Sequence, residues 1–350
     1  MNKYILITGG CGYIGSHITS LLKEKGHSIV VADNLSTGHR QNMIPDVAYE
    51  IGDIGDISFL EQLFHAYPIS TVMHLAAKTS VEESWNQPGL YYEENVIKSI
   101  NLMKICGKFK VKHFIFSSTA AVYDHKINAT IQEDDSIIPS SIYGKSKYIA
   151  ELALGVLAKE YNIQLVICRY FNVAGYHESL TMGRFHNTSL ALIPQICYNI
   201  AQGNFSIAIN GNDYDTADGT CVRDYVHVMD IANTHVMFLN GFHYLEWNTS
   251  TTVNIGYGQG TSVLDVIRLI NILLDDDNAL KYSVVDRRIQ DISCSVADNT
   301  RLKSLGWCSL YESPYKEMIR SEIAWSKKYF SKPAMPFAVL HDTLSLRKFD

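Results

Sequence analysis

The stretch "KYILITGGCGYIGSH", residues 3–17, joins a short apolar run to a glycine-rich loop and then to a helical pattern. The apolar run over 3–8 predicts a buried strand. Gly9 then permits a tight turn, Gly12 lets a phosphate approach the backbone, and Gly15 lets the following helix pack closely on the strand. The stretch therefore predicts a dinucleotide-binding strand–loop–helix unit, with the phosphates at the helix N-terminus.

The first half of the chain continues the alternation that this unit begins. Strands are predicted over 27–33, 47–53, 70–76, 112–118 and 163–172, and helices over 13–25, 57–66, 88–108 and 141–160. Near-continuous apolar strands separated by helices indicate a parallel sheet covered on both faces. The predicted fold class is α/β, a Rossmann-type doubly wound parallel sheet.

The regular alternation stops near residue 175, which suggests a division into domains. We assign 1–175 to an NAD-binding Rossmann domain, with 224–240 as a candidate for return to it. Residues 176–330 then form a smaller, mixed α/β domain for substrate binding, with helices over 191–202 and 262–274. Residues 331–350 form a tail to which we assign no role.

Composition excludes several classes of function. The 350 residues carry a formal net charge of −6 without a basic block, which argues against nucleic acid or an anionic membrane as partner. No apolar stretch is long enough to span a bilayer, and the N-terminal run is too short for a signal peptide. Seven cysteines without CxxC spacing favour reduced thiols in the cytoplasm. Thirteen histidines show no ligand spacing, so no metal is expected.

An acidic residue at the end of the second strand indicates which dinucleotide binds. Asp33 lies eighteen residues beyond Gly15, where a carboxylate can accept hydrogen bonds from the ribose hydroxyls of NAD and repel the 2′-phosphate of NADP. Asp53, after the next strand, suits the adenine edge. The alternative for Asp33 is an ordinary turn residue. We predict NAD as the cofactor.

The stretch "SSIYGKSKYIAE", residues 140–151, places Tyr143 and Lys147 on one helical face, one turn apart. The preceding strand ends in hydroxyls at Ser117, Ser118 and Thr119, at the sheet edge where ligands bind. A free tyrosine has a pKa near 10. We expect the Lys147 ammonium and a positive nicotinamide to lower it by about 3 units, roughly 4 kcal/mol. Tyr143 then acts as a base, while Thr119 holds the substrate oxygen. The alternative is a chance pair on a surface helix.

Several longer motifs carry a family resemblance. They are "TGGCGYIGSH", "DNLSTG", "HLAAKTSVEES", "YYEENV", "FSSTAAVY", "YGKSK", "RYFNVAG", "NGNDYDTADGTCVRDYVHVMDIA" and "NIGYGQGTSVLDVI". On these residues the chain resembles the extended short-chain dehydrogenase/reductases, and within them the UDP-glucose 4-epimerases, over about residues 3–325. The resemblance implies a tightly held NAD that oxidises carbon 4 of a UDP-sugar to a ketone and returns hydride to the opposite face.

The resemblance also implies site residues. The implied cofactor-binding residues are Gly9, Gly12, Tyr13, Ile14, Gly15, Asp33, Asn34, Thr37, Gly38, Asp53, Ile54, Leu75, Ala76, Ala77, Asn95, Ser117, Tyr143, Lys147 and Tyr170. The implied substrate-binding residues are Thr119, Tyr143, Phe171, Asn172, Leu192, Arg223, Arg288, Asp291 and Ser295. Within these sets, Asn95 and Tyr170 would contact the nicotinamide half. Arg223 and Arg288 would bind the UDP phosphates, and Asp291 the uridine ribose. Relatives commonly dimerise, so we expect a homodimer through helices 88–108 and 141–160.

Departures from the family pattern bear on the substrate. Relatives that dehydrate sugar nucleotides carry Asp-Glu where this chain has Ala120 and Ala121. Ser295 stands where a tyrosine closes the hexose pocket of glucose-restricted relatives, so we expect UDP-GlcNAc and UDP-GalNAc to be accepted beside UDP-glucose and UDP-galactose. The alternatives are a net NAD-dependent nucleotide-sugar dehydrogenase or reductase, an epimerase for a UDP-pentose or uronic acid, and a non-catalytic NAD sensor.

Overall fold

The computed structural model of the protein describes residues 3–123, 130–185, 191–242, 250–274, 279–287 and 291–331. Within these ranges the strands are β1 (Tyr4–Thr8), β2 (Ile29–Asp33), β3 (Ala48–Ile51), β4 (Ile69–His74), β5 (His113–Thr119), β6 (Gln164–Tyr170), β7 (Asn172–Ala174), β8 (Ser206–Asn210), β9 (Val222–Arg223), β10 (Tyr225–His227), β11 (Ser250–Ile255), β12 (Thr261–Ser262), β13 (Lys281–Val285) and β14 (Cys294–Ser295). The α-helices are α1 (Tyr13–Glu24), α2 (Ile57–Ala66), α3 (Val81–Asn86), α4 (Pro88–Tyr92), α5 (Lys98–Lys108), α6 (Ile142–Tyr161), α7 (Leu192–Ala201), α8 (Val228–Gly241), α9 (Val263–Leu273), α10 (Thr300–Ser304) and α11 (Pro314–Phe330). Short 3-10 turns lie at Arg40–Asn42 and Ala120–Val122.

A parallel sheet of seven strands organises the first part of the chain. Its order is β11-β6-β5-β4-β1-β2-β3, and every neighbouring pair is parallel. The chain builds one half outward from β1 to β3 and then crosses to β4 on the other side, so the strand order reverses between β1 and β4. That reversal opens a crevice at the carboxyl edge, where open α/β sheets bind ligands. The predicted doubly wound α/β fold is confirmed.

Helices cover both faces of this sheet, which explains why its strands are apolar throughout. The residues of β2 are all buried, and so are those of β6. On one face α1 packs against α8, over a cluster that includes Ile7, Ile18 and Val166. On the other face α5 packs against α6, over a cluster that includes Leu6, Leu102 and Phe114. Two separate apolar layers therefore hold the sheet.

The structure differs from the predicted elements in two places. The helix predicted over 88–108 is interrupted by a π-helical turn at Glu93–Ile97, which inserts an extra residue per turn. Residues 224–240, suggested as a return to the first domain, supply β10, which pairs with β7, and α8, which packs on α1. The later strand that joins the main sheet, β11, was not predicted. The return is a helix followed by an edge strand.

The later part of the chain builds small sheets around a third apolar cluster. Strands β12, β9 and β14 form one sheet, and β8 pairs in parallel with β13. Helices α7, α9 and α11 pack together over Ile196, Ile267 and Ile319. None of the helices in the described residues is both long and apolar enough to cross a membrane.

Candidate active site

The glycine loop between β1 and α1 is closely packed, as its sequence predicts. Gly9 has φ +73°, and a Cβ there would lie 2.7 Å from the Ala76 nitrogen. A Cβ on Gly15 would lie only 2.2 Å from the Gly9 carbonyl oxygen. Gly12 is the N-cap of α1 and, among the described residues, no side chain caps this helix end. The amide groups of the first turn, at Tyr13 and Ile14, therefore face the crevice that the two halves of the sheet leave open.

The carboxylate of Asp33 is fixed at the end of β2. Its two oxygens accept hydrogen bonds from the backbone N–H groups of Cys11 (2.9 Å) and Leu35 (2.8 Å). Gly38 approaches so closely that a Cβ there would lie 2.9 Å from the Asp33 carboxylate. Burial raises the pKa of Asp33, while the two N–H donors lower it. The carboxylate thus keeps a defined orientation beside the glycine loop, where ribose hydroxyls would reach it.

Asp53 is less free than the sequence suggested. Its carboxylate pairs with Lys98 (Nζ–Oδ2 2.7 Å), accepts a hydrogen bond from Asn34 (3.0 Å), and accepts the Gly55 N–H (2.7 Å). Ile54 beside it is buried in the core. Thr37 is exposed in the loop after β2. The adenine-side residues therefore form one rim of the crevice, with Asp53 held by protein partners.

Thr119, Tyr143 and Lys147 meet where β5 ends and α6 begins. The Thr119 hydroxyl accepts the Ala121 N–H (3.1 Å). The Thr119 side chain also interacts with the Tyr143 phenol and acts to lower the pKa of that phenol. The Ser141 side chain caps α6 at the Gly144 N–H (3.0 Å), so the helix begins just before Tyr143.

The protein's own groups alone do not lower the pKa of Tyr143, so its predicted lowering by Lys147 and the positive nicotinamide together stays a prediction. Burial raises the pKa of Tyr143 to about 12, more than the Thr119 hydrogen bond lowers it. Burial also lowers the pKa of Lys147 to about 7, so at neutral pH the lysine is only partly charged. The cause is the same for both residues, because burial removes water from the Tyr143 phenolate and from the Lys147 ammonium and so disfavours each charged form. The positive charge of bound NAD⁺ is the contribution that would lower the pKa of the Tyr143 phenol.

Two buried side chains lie near Lys147, the ring of Phe116 and the imidazole of His74. The Lys147 Nζ lies 4.3 Å from the ring centroid of Phe116 on β5, a cation–π contact. His74 on β4 bonds Thr8 (2.7 Å) and Ser99 (2.8 Å), and burial and the nearby Lys147 lower its pKa to about 3. His74 is therefore a neutral neighbour of the lysine.

Asn95 lies in the π-helical turn, and its side-chain amide has protein partners on every side. It accepts the Lys78 N–H (2.8 Å) and donates to the Lys78 carbonyl (3.0 Å) and to Ser146 on α6 (3.0 Å). Asn95 thus ties the loop after β4 to the catalytic helix. Leu75 and Ala76 begin that loop, where their N–H groups bond the backbone and the hydroxyl of Thr8. Ala77 follows them, half-buried. Contact of Asn95 with nicotinamide remains a prediction.

Tyr170 ends β6 opposite Thr119 in the strand register, and the Ser117 side chain on β5 acts to lower the pKa of its phenol. Its hydroxyl also bonds His235 on α8 (2.9 Å), and burial raises its pKa well above the usual value. Its predicted contact with the nicotinamide half is likewise untested by the geometry. Phe171, the next residue, is buried in a small apolar cluster with Val122.

The predicted substrate-binding residues gather on the small sheet of β9 and β14. Arg223 pairs with Asp291 at 2.5 Å, and Ser295 lies opposite Arg223 in the strand register. Asn172 joins this group to β6, because its N–H bonds the carbonyl of Asp224 (2.9 Å). Leu192 begins α7 and packs on the third apolar cluster. Arg288 lies outside the described residues.

The residues present fit a dinucleotide. The glycine loop packs so tightly that a Cβ at Gly9 or Gly15 would collide with backbone atoms, whereas a Cβ at Gly12, where α1 begins, would meet only the Gly9 carbonyl oxygen at 3.2 Å. The fixed carboxylate of Asp33 stands beside this loop. The hydroxyl–phenol–lysine group lies across the crevice, at the ends of β5 and the start of α6. Among the described residues no group of three or more His, Cys, Asp or Glu is arranged to hold a metal ion.

Sequence reasoning missed three residues near the site. Arg184 lies over the ring of Tyr13 (3.4 Å from Cζ to the centroid), and nothing in the sequence pattern pointed to it. His235 reaches Tyr170 from α8, a contact that needs the tertiary fold. Glu151 continues the spacing of Tyr143 and Lys147 by one more turn, so that spacing could have revealed it.

Comparison with known proteins adds names to this geometry. The model of the NAD dependent epimerase/dehydratase family matches residues 5–256. The UDP-glucose 4-epimerase of Halalkalibacterium halodurans is 38% identical over 327 residues, which cover 93% of this chain and 96% of that protein. A solved UDP-glucose-4-epimerase from Stenotrophomonas maltophila, with bound NAD and formylated UDP-arabinopyranose, has TM-score 0.87 at 33% identity, covering 93% of this chain and 98% of that one. The UDP-Glc/GlcNAc 4-epimerase of Campylobacter jejuni has TM-score 0.79 at 32% identity, covering 93% and 100%.

Proposed function

The chain belongs to the NAD dependent epimerase/dehydratase family, and from that premise we propose that it interconverts UDP-glucose and UDP-galactose by inverting carbon 4. NAD is the cofactor. The observation that carries the proposal is the placement of Thr119 at the end of β5 and of Tyr143 and Lys147 on successive turns at the start of α6, at the edge of the sheet that holds the glycine loop. Ala120 and Ala121 follow Thr119, so this turn has no acid to expel water from the sugar.

The chain's own residues would handle the proton and the substrate. Bound NAD supplies the acceptor and donor of hydride for carbon 4. Tyr143 would take the proton of the 4-hydroxyl and give it back after the sugar has turned its other face. Thr119, whose side chain interacts with the phenol, would hold the same sugar oxygen. Arg223, partly neutralised by Asp291, would bind the UDP diphosphate. The Asp291 carboxylate would also accept hydrogen bonds from the hydroxyl groups of the uridine ribose.

We expect the purified protein to convert UDP-glucose into UDP-galactose without added NAD, because the cofactor is regenerated in each turnover. The measurement is the formation of UDP-galactose by anion-exchange chromatography, with NADH absorbance followed in the same sample. A net dehydrogenase or reductase, the main alternative, releases its cofactor and needs a stoichiometric supply. An unchanged sugar without added NAD would therefore contradict an epimerase, and NADH that accumulates in proportion to product once NAD is added would identify the alternative.

The substrate range is proposed to include UDP-N-acetylhexosamines. Ser295 is buried on β14, opposite Arg223, and a serine there leaves more space than an aromatic residue. One of the similar solved structures is a UDP-Glc/GlcNAc 4-epimerase, which makes this range reasonable within the family. UDP-pentoses or UDP-uronic acids remain the alternative substrates for the same chemistry.

We expect Ser295→Tyr to lower kcat/KM for UDP-GlcNAc roughly tenfold more than for UDP-glucose, because steric exclusion by a pocket side chain discriminates on that scale. The two rates are compared in one preparation. Ser304→Tyr, on an exposed position of α10, is the matched control and should change neither rate. Equal losses for the two sugars would remove Ser295 from the sugar pocket.

A homodimer is proposed through α5 and α6. Ile149, Leu152 and Val156 follow one face of α6 and are exposed, with Val156 at 69%. Ile97, where the π-helical turn meets α5, is exposed as well, and the two helices pack side by side. A contiguous apolar face on an otherwise charged surface favours association with a second copy. Sedimentation velocity gives the assembled mass, and a monomer at micromolar concentration would contradict the proposal.

All seven cysteines are free, which is consistent with the expected cytoplasmic location.

A further inference from the structure

A buried ion pair lies directly behind the catalytic lysine. Tyr143, Lys147 and Glu151 occupy successive turns of α6, so their side chains share one face. Glu151 is 4% exposed and pairs with Arg169 on β6, through Nη2–Oε2 at 2.6 Å and Nε–Oε1 at 3.1 Å. The pair therefore joins the catalytic helix to the strand that ends in Tyr170.

The pair is held rigidly by its neighbours. The Ser118 hydroxyl donates to Glu151, and it lies next to Thr119 on β5. Arg169 donates from Nη1 to the Tyr123 hydroxyl (2.8 Å) and to the Glu133 carbonyl (3.1 Å), and its guanidinium faces the Tyr123 ring. Hydrogen bonds thus hold both partners in fixed orientations.

The stability of the fold does not by itself explain why the Glu151–Arg169 ion pair is buried. A buried ion pair loses so much hydration that apolar residues of the same volume often serve the fold as well or better. The pair instead lies where the charge of Glu151 acts on Lys147. Glu151 favours the charged form of Lys147, whose other neighbours include the Phe116 ring and the neutral His74. Within the described residues the Lys147 ammonium has no hydrogen-bond partner, so Glu151 is the anion that acts on it.

We propose that Glu151 and Arg169 are positioning residues that set how much positive charge Lys147 carries during the reaction. Glu151 attracts charge onto the lysine, and Arg169 limits that attraction by neutralising Glu151. The inference rests on the proposed function, because the charge of Lys147 matters to the base that Tyr143 becomes. It assigns a role to two residues that touch neither substrate nor cofactor.

The proposal predicts shifts of opposite sign for the two partners. Glu151→Gln removes the anion and leaves Arg169 positive, so the pKa of Lys147 should fall below its present value of about 7. Arg169→Met leaves Glu151 unneutralised, so the pKa of Lys147 should rise. Each shift should reach about one unit, the size expected for a single close charge. The alkaline limb of kcat/KM should move in the same two directions, because the lysine must be charged to favour phenolate.

The titration of Lys147 itself is the deciding measurement. The purified protein is labelled with lysine carrying 13C at the ε position, and the Lys147 signal is assigned from its loss in Lys147→Arg. The chemical shift is then followed against pH in each variant. Glu160→Gln, an exposed position in the last turns of α6, is the control and should leave the titration unchanged. This readout needs no turnover, so it fails independently of the proposed epimerase activity.

Removing one partner of a buried pair can unfold the protein, so a double variant completes the test. Glu151→Leu combined with Arg169→Met removes both charges and should keep the fold. Because Glu151 is the charged group that raises the pKa of Lys147, the Lys147 titration should still move to lower pH in this variant. Shifts of opposite sign in the folded single variants, or this lower value in the double variant, support the proposal. An unchanged titration, or equal shifts of one sign, overturns it.

Discussion

Replacing Tyr143 by phenylalanine is expected to lower kcat about 10³-fold, since one positioned acid–base group typically contributes between 10² and 10⁴. The change removes the hydroxyl that Thr119 bonds and keeps the aromatic ring, which packs edge-on against Tyr91 with centroids 6.4 Å apart. The KM for UDP-glucose should change little, because the ring and the phosphate-binding residues remain. Initial rates of UDP-galactose formation over a range of substrate concentrations measure both constants.

The control for this variant is Tyr161→Phe. Tyr161 ends the same helix and packs on the apolar cluster far along α6 from the site, so its rate should match the parent. Melting temperatures of the two variants separate loss of chemistry from loss of folding. If the Tyr143→Phe protein folds normally and interconverts the sugars at the parental rate, the proton is carried by another group and the proposed mechanism is wrong.

Replacing Gly15 by alanine is expected to lower the NAD content of the purified protein by at least about fivefold. The new Cβ would lie 2.2 Å from the Gly9 carbonyl oxygen and 2.8 Å from the Gly10 Cα, both of them backbone atoms that cannot rotate away. Overpacking of this kind costs about 1–3 kcal/mol, and 1.4 kcal/mol is a factor of ten in binding. The displaced loop would move the amide groups of α1 from the phosphates. NAD released by denaturation is quantified per protein chain.

Gly89→Ala is the matched control for that loop. A Cβ on Gly89 has nothing within 4 Å, and the residue is exposed in α4. NAD content should equal that of the parent. Full NAD content in folded Gly15→Ala would show that the cofactor does not depend on this loop, and would remove the physical basis for the helix N-terminus as the phosphate site.

The parts of the fold that local sequence predicts are those with a strong periodic signal. Strand β1, the glycine loop and α1 follow one another within 25 residues, and each element has its own pattern of apolar side chains. The position of Tyr143 and Lys147 is likewise a local statement, since helical spacing places them on one face. Their meeting with Thr119 followed from the rule that ligands bind at the carboxyl edge of the sheet.

Strand β11 could not be found in the same way. Its partner β6 ends at Tyr170, some eighty residues earlier in the chain, and a small domain and a helix lie between them. Nothing in "STTVNI" indicates which sheet it joins. The π-helical turn at Glu93–Ile97 was also invisible, because it changes the backbone by one residue without changing the apolar pattern.

Burial decided the electrostatics, and burial is a tertiary property. The sequence showed that Lys147 stands near Tyr143, yet the sign of the Tyr143 shift depends on how much water each group loses. The same applies to Asp53, whose pairing with Lys98 joins residues 45 positions apart. Glu151 had a visible spacing, but its partner Arg169 comes from a neighbouring strand.

The late arrival of α8 and β11 bears on how the protein is made. A ribosome that has produced the first 175 residues has delivered the glycine loop and the catalytic helix, but neither the helix that covers α1 nor the strand that shields the open side of β6. Such a nascent chain shows a bare apolar face and an unpaired strand edge, both of which invite aggregation. The cofactor-binding half therefore cannot complete its sheet until translation has passed residue 255.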